Sequence, residues 1–208
     1  MSRKLSVCGR SRALCETGKN CSMGVSKLSH GLLPLTVLVM AGPALAAAPD
    51  ARLDQLKADL LGSHSATQVL TQWCETLKLA SPAIIKAEKI SGAGALPQKQ
   101  VRALLHARSD DVVRHRRVRL MCGSHLMSEA DNWYLPSRLT DDMNRQLDTT
   151  DTSFGTVVRP LNFHRQTLKA KSLANRRAAL EIVAVLIAGD GAPFSLVVED
   201  YNPGLLHP

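Results

Sequence analysis

Two features of the sequence could do chemistry, and the first is a run of basic residues. Residues Arg114–Arg119 hold four arginines and one histidine. On a strand, alternate side chains point to opposite faces, so Arg117 and Arg119 share one face while Arg114 and Arg116 share the other. A buried guanidinium needs an anionic partner, and its planar fork suits a carboxylate. The alternative for each arginine is a solvated side chain on the surface of a sheet.

The second feature is Glu199, near the end of the apolar run Phe194–Tyr201. A period of two places Ser195, Val197, Glu199 and Tyr201 on one face, so one side of this strand carries an acid beside apolar residues. If that side is interior, the carboxyl group is paired or has a perturbed pKa, and such groups cluster at functional sites. The alternative is an exposed acid at the end of a strand.

The first 46 residues differ from the rest of the chain and have the features of a secretory signal peptide. A basic segment precedes an uncharged apolar run at residues 31–41, and small residues follow it. That run is shorter than the roughly twenty residues a membrane-spanning helix needs, so we expect no stable membrane span. We expect cleavage after Ala46 and a periplasmic or secreted protein, with residues 1–22 as a misassigned start or an unusual leader before Met23. The alternative is a buried helix of the mature fold.

The charge of the chain is unevenly distributed. The 208 residues carry 26 Lys and Arg against 18 Asp and Glu, a net charge of +8. Residues 1–46 hold six of those bases and one acid, so residues 47–208 keep a net charge of only +3. Aromatic residues make up 3% of the chain, too few for a protein that stacks on single-stranded nucleic acid. We therefore expect no nucleic-acid partner, although the total charge suggests one.

Two cysteines, Cys74 and Cys122, remain in residues 47–208. In an exported domain they either form one disulfide or stay buried thiols, and their spacing alone decides neither. No C-x-x-C or H-E-x-x-H pattern occurs in the chain, so we expect no metal site. The oligomeric state is left open by the sequence.

Helical patterns precede strand patterns in residues 47–208. Apolar residues recur at helical spacing at first, Ser65 and Thr140 are candidate N-caps, and Asp190-Gly191 marks a tight turn between two apolar runs. This order predicts a single α+β domain with antiparallel strands. The predicted helices cover 51–63, 65–80 and 140–147, with a short helix or turn-rich connection at 98–108, and the predicted strands cover 83–90, 112–121, 126–136, 179–188 and 194–201.

Several segments, taken in order, resemble one enzyme family. They are Arg117–Cys122, Asp151–Gly155, Phe163–Thr167 and Val198–Tyr201, and together they look like chorismate lyase, which splits chorismate into 4-hydroxybenzoate and pyruvate. The segment Ser128–Pro136 is similar to an exported branch of the same superfamily. The resemblance implies a chorismate lyase-like α+β fold, with a central antiparallel sheet flanked by helices, an enclosed pocket for a small aromatic acid, and no cofactor.

The resemblance also implies roles for individual residues. Arg117 matches the arginine that holds the ring carboxylate, and Glu199 matches the acid at the opposite, hydroxyl end of the product. Phe154 and Gly155 match a turn that closes over the carboxylate. The family's second arginine, available for the enolpyruvyl carboxylate, is Asn132 here.

We therefore expect a protein that binds a small aromatic carboxylate such as 4-hydroxybenzoate. If it is an enzyme, it is a carbon–oxygen lyase in which Arg117 and Glu199 position the substrate and stabilise charge. The alternatives are an exported binding module without catalysis, and an envelope-associated protein with a vestigial pocket.

Overall fold

Alternating apolar and polar residues build one antiparallel sheet of six strands. The computed structural model describes residues 48–173 and 175–207, so the predicted leader at residues 1–46 lies outside the described part. The strand order is β1-β2-β3-β6-β5-β4. The strands are β1 Ile85–Lys89, β2 Arg114–Cys122, β3 His125–Tyr134, β4 His164–Ser172, β5 Leu180–Ile187 and β6 Pro193–Tyr201.

Five α-helices connect and flank these strands. The N-caps predicted from sequence are confirmed: Ser65 Oγ accepts from the backbone N–H of Gln68 (3.4 Å), and Thr140 Oγ1 accepts from that of Met143 (3.2 Å). Each cap satisfies one of the backbone donors that a helix start leaves without a partner. The helices are α1 Pro49–Gly62, α2 Ala66–Thr76, α3 Gln98–Leu104, α4 Asp141–Thr149 and α5 Phe154–Val157. The predicted α+β class with a central antiparallel sheet is confirmed.

The two faces of the sheet pack against different helices. The inner face, which carries Val118, Leu120 and Val197, joins a large apolar core with buried residues of α1, α2, α4 and α5. The outer face carries Leu196 and Val198 and packs in a smaller cluster with Val101 of α3 and with Leu105, which follows it. The period of two therefore decides which site each side chain of a strand can reach.

A disulfide joins Cys74 in α2 to Cys122 at the end of β2, with their Cα atoms 6.2 Å apart. This pairing settles the alternative that the spacing left open. It ties the helix beside the inner face to the strand that carries the arginine run. Among residues 48–173 and 175–207, no helix has the length and apolar character to cross a bilayer.

Candidate ligand-binding site

A small cavity lies between the inner face of the sheet and the starts of α2 and α5. Its volume is about 40 Å³, which is room for a few water molecules. Four strands contribute its polar side chains, Arg116, Asn132, Arg165 and Glu199. The start of α2 adds three more polar residues, His64, Ser65 and Thr67. The rest of the wall is apolar and comprises Ala66, Val118, Leu120, Ala130, Phe154, Gly155, Phe163, Leu186 and Val197.

Arg116 is a buried cation that forms no ion pair with any described residue. It lies on the inner face of β2 and is only 7% exposed. Its Nη2 donates to the backbone oxygen of Thr152 (3.3 Å), whereas its Nε and Nη1 find no acceptor within the described part of the chain. Burial lowers the pKa of this guanidinium from its ordinary value, as desolvation of a cation must. A buried charge in this condition is costly unless an anion joins it.

Arg165 and Glu199 form a buried ion pair on the same cavity. Nη2 of Arg165 donates to Oε2 of Glu199, and the two side chains are only 3% and 8% exposed. The hydroxyl of Tyr201 donates to the same carboxylate oxygen (2.9 Å). Burial opposes the charge of Arg165, but attraction to Glu199 outweighs it and raises the arginine's pKa. Burial, reinforced by the Glu199 charge, raises the pKa of Tyr201 well above 10. The positive charge of Arg165 is therefore balanced by Glu199 within the protein.

The residue at the position of the family's second arginine also reaches the cavity. Asn132 lies directly across from Arg116 in the β2–β3 register, and its Oδ1 accepts from Ser195 Oγ (2.9 Å). Asn132 is only 5% exposed. Asn132 adds no positive charge to the cavity. Of the two arginines that line it, Arg165 pairs with Glu199, whereas Arg116 forms no ion pair with a described carboxylate.

Gly155 allows α5 to approach α2 closely. A Cβ atom at this position would lie 2.8 Å from Thr67 Oγ1 and 3.2 Å from Ser65 Oγ. Any larger residue would therefore push the start of α2 and the wall of the cavity apart. Phe154 is buried beside it, stacks on Phe194, contacts Tyr134 with the two rings tilted, and also lines the cavity. The structure thus brings Phe154, Gly155 and Glu199 together, while their roles toward a ligand stay predictions.

Arg117 does not share this cavity, and the expectation that it and Glu199 line one pocket is wrong. Arg117 lies on the outer face, where its Nη1 donates to Ala93 O (3.1 Å) and Asp131 Oδ2 (3.5 Å). Its Nη2 donates to Glu129 Oε2 (3.4 Å). Although burial favours the neutral acid, hydrogen bonds from Arg119 and Arg117 hold the pKa of Glu129 below its ordinary value. The anionic partners expected for a buried arginine are thus supplied by the protein itself.

The error is one residue of register, which on a strand moves a side chain to the other face. The sequence contained a signal for the correct choice. Val118, Leu120 and Cys122 continue the face of Arg116 with apolar residues, whereas Arg119 continues the face of Arg117. Arg165 was also missed, because its strand β4 has a weak apolar pattern and is largely exposed outside this residue.

Comparison with known proteins gives one relative at substantial identity. No protein-family model matches the chain. The uncharacterized protein y4mC of Sinorhizobium fredii is 41% identical to it over 177 residues, which covers 74% of this chain and 75% of y4mC. The chain belongs to the y4mC family.

Several solved structures share part of the chain path of this y4mC-family protein. The effector domain of PhnF from Mycobacterium smegmatis is 11% identical, with a TM-score of 0.45, over 67% of this chain and 88% of that chain. The effector-binding domain of the trehalose repressor of Bacillus subtilis is 10% identical, with a TM-score of 0.38, over 56% and 90%.

The possible transcriptional regulator YydK of Bacillus subtilis is 14% identical, with a TM-score of 0.42, and the match covers 58% of this chain and 59% of YydK. The match thus spans less than two thirds of the length of YydK. At such low identities and TM-scores, these similarities carry no weight for the function of the y4mC-family chain.

Proposed function

We propose that the protein binds a small aromatic carboxylate in the cavity below α2 and α5. The observation that carries the proposal is Arg116, a 7% exposed guanidinium whose Nε and Nη1 have no acceptor within the described residues. Two parallel N–H groups of one guanidinium match the two oxygens of a carboxylate. Because the N–H groups of Nε and Nη1 diverge, a bound carboxylate would neutralise the buried charge and accept from one of them together with the second N–H of Nη2.

The walls of the cavity support an aromatic body for this ligand. Phe154 and Phe163 line it together with aliphatic side chains from four strands, and binding sites for small molecules typically combine such walls with a few polar groups. The present volume of about 40 Å³ is well below the roughly 150 Å³ of an engineered cavity that admits benzene. Binding therefore requires the wall to open.

The opening has an identifiable place. A larger cleft of about 630 Å³ lies on the other side of His64, Ser65, Thr67, Gly155 and Phe163, all of which line both spaces. These residues form a thin partition made of the start of α2, one residue of α5 and one aromatic ring. We expect the ligand to reach Arg116 by displacing this partition.

Binding without catalysis is favoured over the lyase reaction. Chorismate carries two carboxylates, whereas the cavity offers one uncompensated cation, because Arg165 is already paired with Glu199. The position of the family's second arginine is Asn132, which cannot balance a second negative charge. The sequence resemblance to chorismate lyase supports the ligand class more strongly than it supports the reaction.

Calorimetric titration of the purified protein with benzoate, 4-hydroxybenzoate and chorismate tests the proposal. We expect saturable binding of the benzoates, its loss in Arg116→Gln, and its retention in Arg117→Gln, a matched control on the opposite face. Equal loss in both variants, or binding that survives Arg116→Gln, would contradict the site. Incubation with chorismate, followed by chromatography for 4-hydroxybenzoate, separates the lyase from the binding protein.

We also infer that the domain works outside the reducing cytosol. The support is the signal-peptide pattern of residues 1–46 together with the Cys74–Cys122 disulfide, since disulfides persist mainly in oxidising compartments. N-terminal sequencing of the protein from a periplasmic or secreted fraction should begin at Ala47. Recovery only from the cytosol with residues 23–46 intact would contradict export.

A further inference from the structure

A second unsatisfied donor in the cavity belongs to Arg165. While its Nη2 is held by Glu199, its Nε is buried and has no hydrogen-bond acceptor anywhere in residues 48–173 and 175–207. The side chain is 3% exposed and lines the cavity. A buried N–H in this state indicates a missing partner, because nearly all buried donors in native proteins have one.

The two arginines require different partners. Arg116 forms no ion pair within the described residues and has two donors without an acceptor, so the partner that fits it carries a negative charge. Arg165 is already neutralised by Glu199, so a second anion at its Nε would stand beside a buried carboxylate without a charge to balance it. The partner that fits Arg165 is therefore a neutral oxygen acceptor, such as an ether, a carbonyl or a hydroxyl oxygen.

The strand order separates the two guanidinium groups. Arg116 is on β2, whereas Arg165, on β4, reaches across β5 to Glu199 on β6. The strand β6 lies two spacings from β2, roughly 10 Å at about 4.8 Å per spacing, and both arginines line the same cavity. A ligand that contacts both must be elongated, with its polar groups at opposite ends of an apolar body.

We propose that Arg165 determines specificity by donating from Nε to a neutral acceptor in the para position of the bound aromatic carboxylate. This inference rests on the proposed function, since it presupposes that the carboxylate lies at Arg116. It defines the ligand as a monoanion with a neutral oxygen at its far end, and it excludes a dianion with a second carboxylate there.

A ligand series on the unmodified protein tests this without any risk of misfolding. The decisive pair is 4-methoxybenzoate and 4-ethylbenzoate, which have nearly the same shape but differ in one oxygen. We expect 4-methoxybenzoate to bind roughly three- to tenfold more tightly, the usual net effect of one hydrogen bond. Terephthalate, which carries a second carboxylate at the same position, should bind more weakly than 4-ethylbenzoate. Equal affinities for the decisive pair, or terephthalate as the tightest ligand, would overturn the assignment.

The variant Arg165→Lys provides a second test of the role of Arg165. Lysine retains a cation for Glu199 but has no Nε–H in the fork geometry, so the affinity ratio of 4-methoxybenzoate to 4-ethylbenzoate should fall to about one. A ratio unchanged from that of the unmodified protein would place the acceptor elsewhere. If this variant does not fold, the ligand series decides alone. Failure of every benzoate to bind would refute the proposed function, whereas equal binding of the decisive pair refutes only the role of Arg165.

Discussion

Replacing Arg116 with methionine should stabilise the protein in the absence of ligand. The arginine is 7% exposed and keeps one hydrogen bond, from Nη2 to Thr152 O at 3.3 Å, while two of its donors are unsatisfied. Methionine has a similar unbranched stem and no charge, so it fills the space without the desolvation penalty. Replacing buried ionic groups by apolar residues of similar volume is often neutral or stabilising.

The expected magnitude follows from the hydrogen bonds. Each buried donor without a partner costs about 1 to 3 kcal/mol, and the hydrogen bond to Thr152 returns about 1.5 to 3 kcal/mol because the donor is charged. With the middle of each range, the two unsatisfied donors of Arg116 outweigh its one bond by about 2 kcal/mol. For a domain of this size, that corresponds to a rise in Tm of roughly 4 to 8 °C.

The assay is thermal and denaturant unfolding of the unmodified protein, Arg116→Met and the matched control Arg117→Met. The control should lower stability by about 1 to 3 kcal/mol, because it leaves Asp131 and Glu129 without a partner they share. With benzoate at a hundredfold excess over its Kd, the unmodified protein should gain about 2.7 kcal/mol, and Arg116→Met should gain none.

The opposite signs of the two substitutions are what make the test decisive. If Arg116→Met unfolds more readily than the unmodified protein, the guanidinium stabilises the fold, and its unsatisfied donors do not mark a ligand-binding site. If Arg117→Met is stabilising as well, a gain in stability does not depend on a missing counter-ion, because Arg117 has carboxylate partners. Either result would refute the inference that an uncompensated buried charge marks the site.

Three further predictions concern the framework of the site. Reduction of the Cys74–Cys122 disulfide, whose cysteines are 48 residues apart, should lower the free energy of unfolding by about 4 kcal/mol in the loop-entropy account, and identical denaturation midpoints with and without reductant would contradict it. Gly155→Val, with its Cβ forced against Thr67, should lower stability by about 1 to 3 kcal/mol and weaken benzoate binding, whereas Gly62→Val, with open space around its Cβ, should change stability by less than about 0.5 kcal/mol. Burial raises the pKa of Asp200, and so does the negative charge of Glu181, which lies directly across from it on β5. The stabilisation by the neutral form of Asp200 is therefore complete below about pH 3.9 and is lost as pH rises through the raised pKa. Asp200→Asn should therefore stabilise the protein by about 0.2 to 1 kcal/mol at pH 7 and have no effect at pH 3, and an equal effect at both pH values would exclude titration as the cause.

Much of the fold was predictable because its main elements have strong local signals. The hairpin of β5 and β6 is two apolar runs around Asp190-Gly191, and the helix starts at Ser65 and Thr140 have capping side chains. The strand that was not predicted is β4, His164–Ser172. It is an edge strand with a bulge near Leu168, so its residues are mostly exposed and lack a continuous apolar alternation.

The site was predictable only in part, for a reason that concerns long-range pairing. The alternation of β6 correctly placed Glu199 and Tyr201 on one face, and that face is interior. Nothing local to Glu199 could indicate that its counter-ion is Arg165, because the two lie on strands separated by β5. The choice between Arg116 and Arg117 likewise depended on which face the helices cover.

The contrast between Arg116 and Arg117 separates a structural charge from a functional one. Both are adjacent arginines on one strand, and both lose most of their contact with water. Arg117 recovers that loss through Asp131 and Glu129, which lie directly across from it and from Arg119 on β3. Arg116 faces Asn132 at the corresponding position. A carboxylate there would have completed a structural ion pair and closed the cavity to anions. Because the protein places an amide opposite Arg116, no described residue forms an ion pair with it, and the proposed ligand is the anion that would balance its charge.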